Sequence, residues 1–273
     1  MKKSLSAAIF GLLFASCQKE LDWGLHQDVD GDLLVKTLQI TQETNDTNFI
    51  TLQYDAEKRL IQYLSAGKVN GTATNISFKI TRSADGKISR LVSKPGTPGV
   101  DSIVYFPAYD GDRISFCLDS TYTPFLDIKD STVLTYNSFG FCTEIEQYTD
   151  LFGTMEKMSK RSFVYDATGN PVSEKVFAPD GLGGFELMDD VMYTYNDKKP
   201  AVKLGDESLI VFPITALANN DMTREEHDFV IAGERLVTIT GQQYNAFNRP
   251  RQHAMTVVLP APGYNLKLIH SYQ

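Results

Sequence analysis

Arg161-Ser-Phe-Val-Tyr-Asp-Ala-Thr-Gly-Asn-Pro-Val-Ser-Glu-Lys-Val-Phe177 reads as strand, tight turn, strand. Phe163 and Tyr165 share one face at period two, Asp166 opens the turn, and Gly169 supplies a residue tolerant of positive φ. Val172 and Val176 resume one face of the returning strand, and Pro171 fits a strand start or an edge.

Counted from the aromatic to the turn glycine, Tyr165/Gly169 is matched by Tyr136/Gly140 and Phe229/Gly233. Partial copies begin at Tyr54, Arg82, Tyr109, Tyr195 and Tyr244. The eight anchors are spaced by 28, 27, 27, 29, 30, 34 and 15 residues. Such a period marks units that cannot bury their own apolar face and must stack on neighbours. Two strands of about 6 residues with two connections fill it. The predicted fold is all-β, an antiparallel array of β-hairpin repeats forming a long twisted sheet that curls on itself.

The phrase Tyr-Asp-x-x-Gly-Arg/Asn-Leu/Pro resembles the YD repeat of RHS-type proteins. It is more closely similar to repeat domains of unknown function in lipoproteins of Bacteroidota. The resemblance covers about 33–270 and implies hairpin arrays; it brings no catalytic residues with it.

Met1-Lys2-Lys3 and the apolar run Leu5 to Ala15 have the form of a secretory signal, too short for a membrane span. Phe14-Ala-Ser-Cys17 resembles a bacterial lipobox, which makes Cys17 the expected lipidation site after removal of 1–16. Plain signal-peptidase cleavage is the alternative. Gln18-Lys-Glu-Leu-Asp22 resembles the surface-export signal of Bacteroidota lipoproteins. The expected organisation is a signal at 1–16, a lipidated tether at 17–32 and one β-repeat domain at 33–273. The expected address is the outer membrane or cell surface, reached by Sec export, with the membrane held through the lipid.

Removing Lys2 and Lys3 takes the formal charge from −8 to −10, which disfavours a nucleic-acid partner. Cys117 and Cys142 then remain, either as a disulfide in an oxidising compartment or as two buried thiols. In a simple meander they lie two strands apart, about 9–10 Å, beyond the reach of a bridge.

Glycan or an envelope protein is the expected partner, with no cofactor. Asp28, Asp30 and Asp32 sit in a tight acidic turn that could serve as a loop-type calcium site, but the spacing is not that of an EF-hand. Tyr105, Tyr122 and Tyr148 stand outside the repeat register and are the candidate stacking platforms. Ser102, Ser120 and Ser131 each follow an aspartate in a pattern that resembles the O-glycosylation acceptor of Bacteroidota, expected in outward turns.

The four histidines, His26, His227, His253 and His270, are scattered, with none at metal-ligand spacing. Adjacent carboxylates such as Asp189-Asp190 point to opposite faces of a strand. The functional expectation is a non-catalytic binding or scaffold module; the alternative is a glycan-active enzyme whose carboxylates converge from different repeats. Residues 215–226, where the period is lost, are the candidate insertion.

Overall fold

A computed structural model describes residues 33–124, 127–151, 153–205, 208–229, 233–258 and 263–273. They form sixteen antiparallel strands: β1 (Leu34–Thr41), β2 (Thr47–Tyr54), β3 (Leu60–Val69), β4 (Thr72–Arg82), β5 (Ile88–Lys94), β6 (Ser102–Asp110), β7 (Arg113–Tyr122), β8 (Asp127–Tyr136), β9 (Cys142–Leu151), β10 (Thr154–Tyr165), β11 (Pro171–Pro179), β12 (Phe185–Tyr195), β13 (Met222–Phe229), β14 (Gly233–Tyr244), β15 (Pro250–Val258) and β16 (Tyr264–Tyr272). Each pairs with its sequence neighbours, and β1 pairs with β16 from Leu34↔Tyr272 to Thr41↔Leu266. The expected curled sheet is therefore corrected to a closed barrel. Closure removes both open edges, which a sheet of this length would otherwise expose.

The repeat is one tight turn plus one clip. At Asp166 the turn is closed by Asp166 N–H to Asn170 O and Gly169 N–H to Asp166 O, with Gly169 at φ +85°. The same pair of bonds closes the turns at Asp55, Ser83, Asn137 and Asn245. Lys58 (φ 63°) and Asn248 (φ 60°) occupy the left-handed position that glycine fills elsewhere.

The anchor side chain then ties its strand to the preceding one. Tyr54 Oη donates to Leu34 O at 2.8 Å, Tyr136 to Ile114 O at 2.7 Å, Tyr165 to Cys142 O at 2.7 Å, Tyr195 to Pro171 O at 2.7 Å and Tyr272 to Pro250 O at 2.6 Å. Arg82 takes the tyrosine's place by donating Nη2 to Leu60 O at 3.2 Å. Tyr109 Oη accepts from Ile88 N–H at 2.9 Å.

Two readings of the repeat change. Phe229 and Gly233 flank the β13–β14 connection at the opposite end of the barrel from the tyrosine turns, so they are not a copy. The eighth anchor is Tyr272, which makes the last two intervals 49 and 28 residues. The long interval carries the insertion, which spans 196–221, with α1 (Ser208–Val211) and a 3-10 turn (Ile214–Leu217). Leu209 to Phe212, although apolar, is helix and turn rather than strand, because this segment is not held in a ladder.

The insertion lies inside the barrel. Leu209 and Ile214 pack with Ile114, Leu134, Ile145, Phe163 and Val191 of β7 to β12. Leu204 packs with Leu52, Leu60, Ile80 and Leu91 of β2 to β5. The plug thus joins two apolar clusters on opposite walls. Phe212 completes a triangle with Tyr63 and Phe78, ring centroids 5.3–5.5 Å apart.

Candidate functional site

Because Ile145 and Leu134 face the core, Glu144 and Glu146 on β9 face outward, and the register sets Lys160 of β10 opposite Glu146 and Lys157 opposite Tyr148, which leaves each lysine diagonal to a glutamate. Lys160 pairs with Glu144 and Lys157 with Glu146. Lys175 and Asp190 form a third outward pair at 3.3 Å, in the middle of β11 and β12. The outer wall thus sets ion pairs among exposed apolar side chains such as Phe106, Leu118, Val164 and Met192, while the inner face combines apolar clusters with buried charged groups.

Within the lumen, several acids face inward. His227 is held by Asp189 through Nδ1 and by Glu225 through Nε2, each at 2.7 Å. Burial opposes its charge, but the two carboxylates outweigh burial and raise its pKa. With both ring nitrogens engaged, it has none left to serve a substrate. Glu174 accepts from Arg161 Nε at 2.7 Å and Tyr193 Oη at 2.8 Å, which occupies both of its oxygens.

Asp119 and Asp130 stand directly opposite each other on β7 and β8. Asp119 is only 7% exposed, and burial, reinforced by the charge of Asp130, pushes its pKa up to about 7.

Between the plug and the wall β1, β2, β14, β15, β16 lies a cavity of about 310 Å³. Its sides include Ile50, Leu52, Val202, Phe212, Ile239 and Leu268. Thr37, His253 and His270 supply the polar groups on one side, and Asp221 another. Thr37 Oγ1 and His270 Nδ1 are 2.9 Å apart, and His270 Nε2 lies 3.4 Å from His253 Nδ1. Burial lowers the His253 pKa to about 4 and, with His253 adding to it, that of His270 to about 3, so both rings are neutral at pH 7. Burial raises Asp221 to about 6, against the hydrogen bonds from Tyr244 and Gln242.

The sequence candidates are dispersed. Tyr105 faces the lumen opposite Asp119, Tyr122 ends β7 at the exposed rim, and Tyr148 lies outside with its hydroxyl on Glu146. They form no common platform. Ser102, Ser120 and Ser131 lie within strands rather than in turns, and Ser131 is buried. Cys117 and Cys142 are free buried thiols on β7 and β9, with β8 between them, so the bridge is not formed. Cys17, Asp28, Asp30 and Asp32 lie outside the described residues.

Sequence spacing did not bring His253 and His270 together. Antiparallel pairing does, setting His253 opposite Leu268 and so diagonal to His270. The legible signal was the inward series Leu266, Leu268, His270, Tyr272, in which a histidine takes a core position.

The fold and its lumen define a class: a closed sixteen-stranded antiparallel barrel filled by an internal segment and carrying a mainly apolar internal cavity. No family model matches the chain, and no curated protein matches it in sequence. Among solved structures it is similar to a porin-like protein from Bacteroides uniformis ATCC 8492, with a TM-score of 0.56 and 9% identity over 88% of this chain and 98% of that one. A second porin-like protein, from Bacteroides vulgatus ATCC 8482, superposes with a TM-score of 0.52 and 11% identity at the same coverages. At these identities the likeness shows the fold.

Proposed function

We propose that the protein is a lipid-anchored envelope component whose barrel is a non-catalytic binding module rather than a pore. The observation that carries this reading is the plug that fills the lumen, together with the ion pairs on the outer wall. A bilayer-spanning barrel turns an apolar band to lipid and a polar lumen inward. Here the outer wall of β9 to β12 carries Lys157–Glu146, Lys160–Glu144 and Lys175–Asp190 beside exposed apolar side chains such as Val164 and Met192, while the lumen is filled by a plug, two apolar clusters and several buried acids rather than left as a water-filled channel. Each Lys at a bilayer midplane would cost about 2–4 kcal/mol.

Membrane attachment then falls to the acylated Cys17, and the Bacteroides barrels described as porin-like fit an envelope address. The binding role rests on the cavity, which has the make-up of a small-molecule site, mostly apolar with a few polar groups.

The test combines intact mass, fractionation and planar-bilayer conductance on wild type and Cys17→Ala. The expected result is an acylated N-terminus at Cys17, release of Cys17→Ala from the membrane fraction, and no channels. Stepwise ohmic conductance, or a Cys17→Ala chain that stays integral to the membrane, would overturn the reading.

A second reading, an enzyme, draws on Asp119 facing Asp130 in the lumen. Turnover of an envelope polysaccharide that disappears in Asp119→Asn would support it.

A further inference from the structure

The cavity between plug and wall, about 310 Å³ and open on one side, lies at the lower end of the size range of small-molecule sites. Its occupant is therefore small. Most of the lining is aliphatic or aromatic, which calls for an apolar body.

The polar side of the chamber narrows the choice of head group. His253 is 6% exposed, lines the cavity and has its Nδ1 3.4 Å from His270 Nε2, and among the described residues its own Nε2 has no hydrogen-bond partner. With Nδ1 turned to His270, Nε2 is the ring nitrogen left to meet a ligand, as donor or acceptor according to tautomer. Nothing cationic lines the cavity among the described residues, while Asp221 does. A carboxylate or phosphate would enter an apolar chamber beside an acid with no counter-ion, at a large desolvation cost. An uncharged hydroxyl or carbonyl meets the imidazole without that cost.

We propose that the cavity binds a small neutral amphiphile, an aliphatic body carrying one uncharged hydrogen-bonding head that meets His253 Nε2. This rests on the reading of the barrel as a binding module and names the class of its ligand.

The test uses the full chain carrying Cys17→Ala, so that no attached acyl chain competes. N-phenyl-1-naphthylamine fluorescence reports occupancy, with decan-1-ol and decanoate as competitors at pH 7.5. The expected result is dye binding displaced by decan-1-ol at least tenfold more effectively than by decanoate. His253→Leu should weaken decan-1-ol about tenfold, while His253→Gln, which keeps a hydrogen-bonding head, should restore most of it. Ala216→Phe, or Ile50→Trp from the opposite wall if the first variant does not fold, should abolish dye binding by filling the chamber.

Decanoate competing as well as decan-1-ol would overturn the ligand class and leave the binding module standing. Failure of the dye and of both competitors to bind would overturn both. Dye binding that survives both filled-cavity variants would place the ligand elsewhere and overturn the inference.

Discussion

The side-chain oxygen of Asn170 accepts a hydrogen bond from the backbone N–H of Asn219 at 2.9 Å. The N–H of Asn220 reaches the same oxygen at 3.0 Å, and Asn170 is only 2% exposed. A residue of the tight turn between β10 and β11 thus latches the end of the plug. Asn170→Ala leaves two backbone donors without their acceptor, and we expect a loss of about 2–4 kcal/mol in chemical denaturation. Protection of plug amides against hydrogen exchange should fall more than that of β1 to β5.

The tyrosine clips give a graded test of the repeat. Tyr165→Phe keeps the ring and removes the bond to Cys142 O, so a destabilisation of about 1–2 kcal/mol is expected. Gly169→Ala should cost at least as much, since φ there is +85° and the new methyl would meet Asn219 Nδ2 at 2.9 Å and Phe141 at 3.0 Å. Urea midpoints of the two variants check both.

The plug is a packing element, so truncating it should act like truncating a core. Ile214, 2% exposed between the walls, should cost about 2–5 kcal/mol as Ile214→Ala. A change below 0.5 kcal/mol would show that the segment is not seated between the walls.

The pH dependence has two opposed parts. Asp119 has a folded pKa of about 7, above its ordinary value of 3.8; its contribution is fully present below about 3.8 and is lost as pH rises through 7. Asp119→Asn should therefore raise Tm relative to wild type at pH 8 and leave it nearly unchanged at pH 4. His253 runs the other way: its folded pKa of about 4 lies below 6.5, so its contribution is present above 6.5 and lost as pH falls through 4. His253→Gln should lose less Tm than wild type between pH 6.5 and 4.

Burial pushes both thiols, Cys117 and Cys142, up to about 12. A thiol reagent at pH 8 should label neither in the native protein and both after unfolding in guanidinium, as counted by mass.

Read by itself, the sequence determined the local unit. Alternation in Phe163 to Tyr165, the acidic residue opening the turn and the left-handed position four residues after the aromatic are short-range chemistry, and each hairpin follows from them. A regular period carried the antiparallel, all-β class. It also misled at Phe229/Gly233, where an aromatic and a glycine happen to flank a connection at the far rim. Tertiary structure decided the rest, because those outcomes depend on residues far apart in the chain. Whether the array stays open or closes is settled by eight units meeting through β1 and β16, with Thr37 and His270 separated by 233 residues. That 196–221 turns inward, and that His253 and His270 line the chamber it leaves, follows from the apolar lumen needing to be filled. No local spacing encodes a volume.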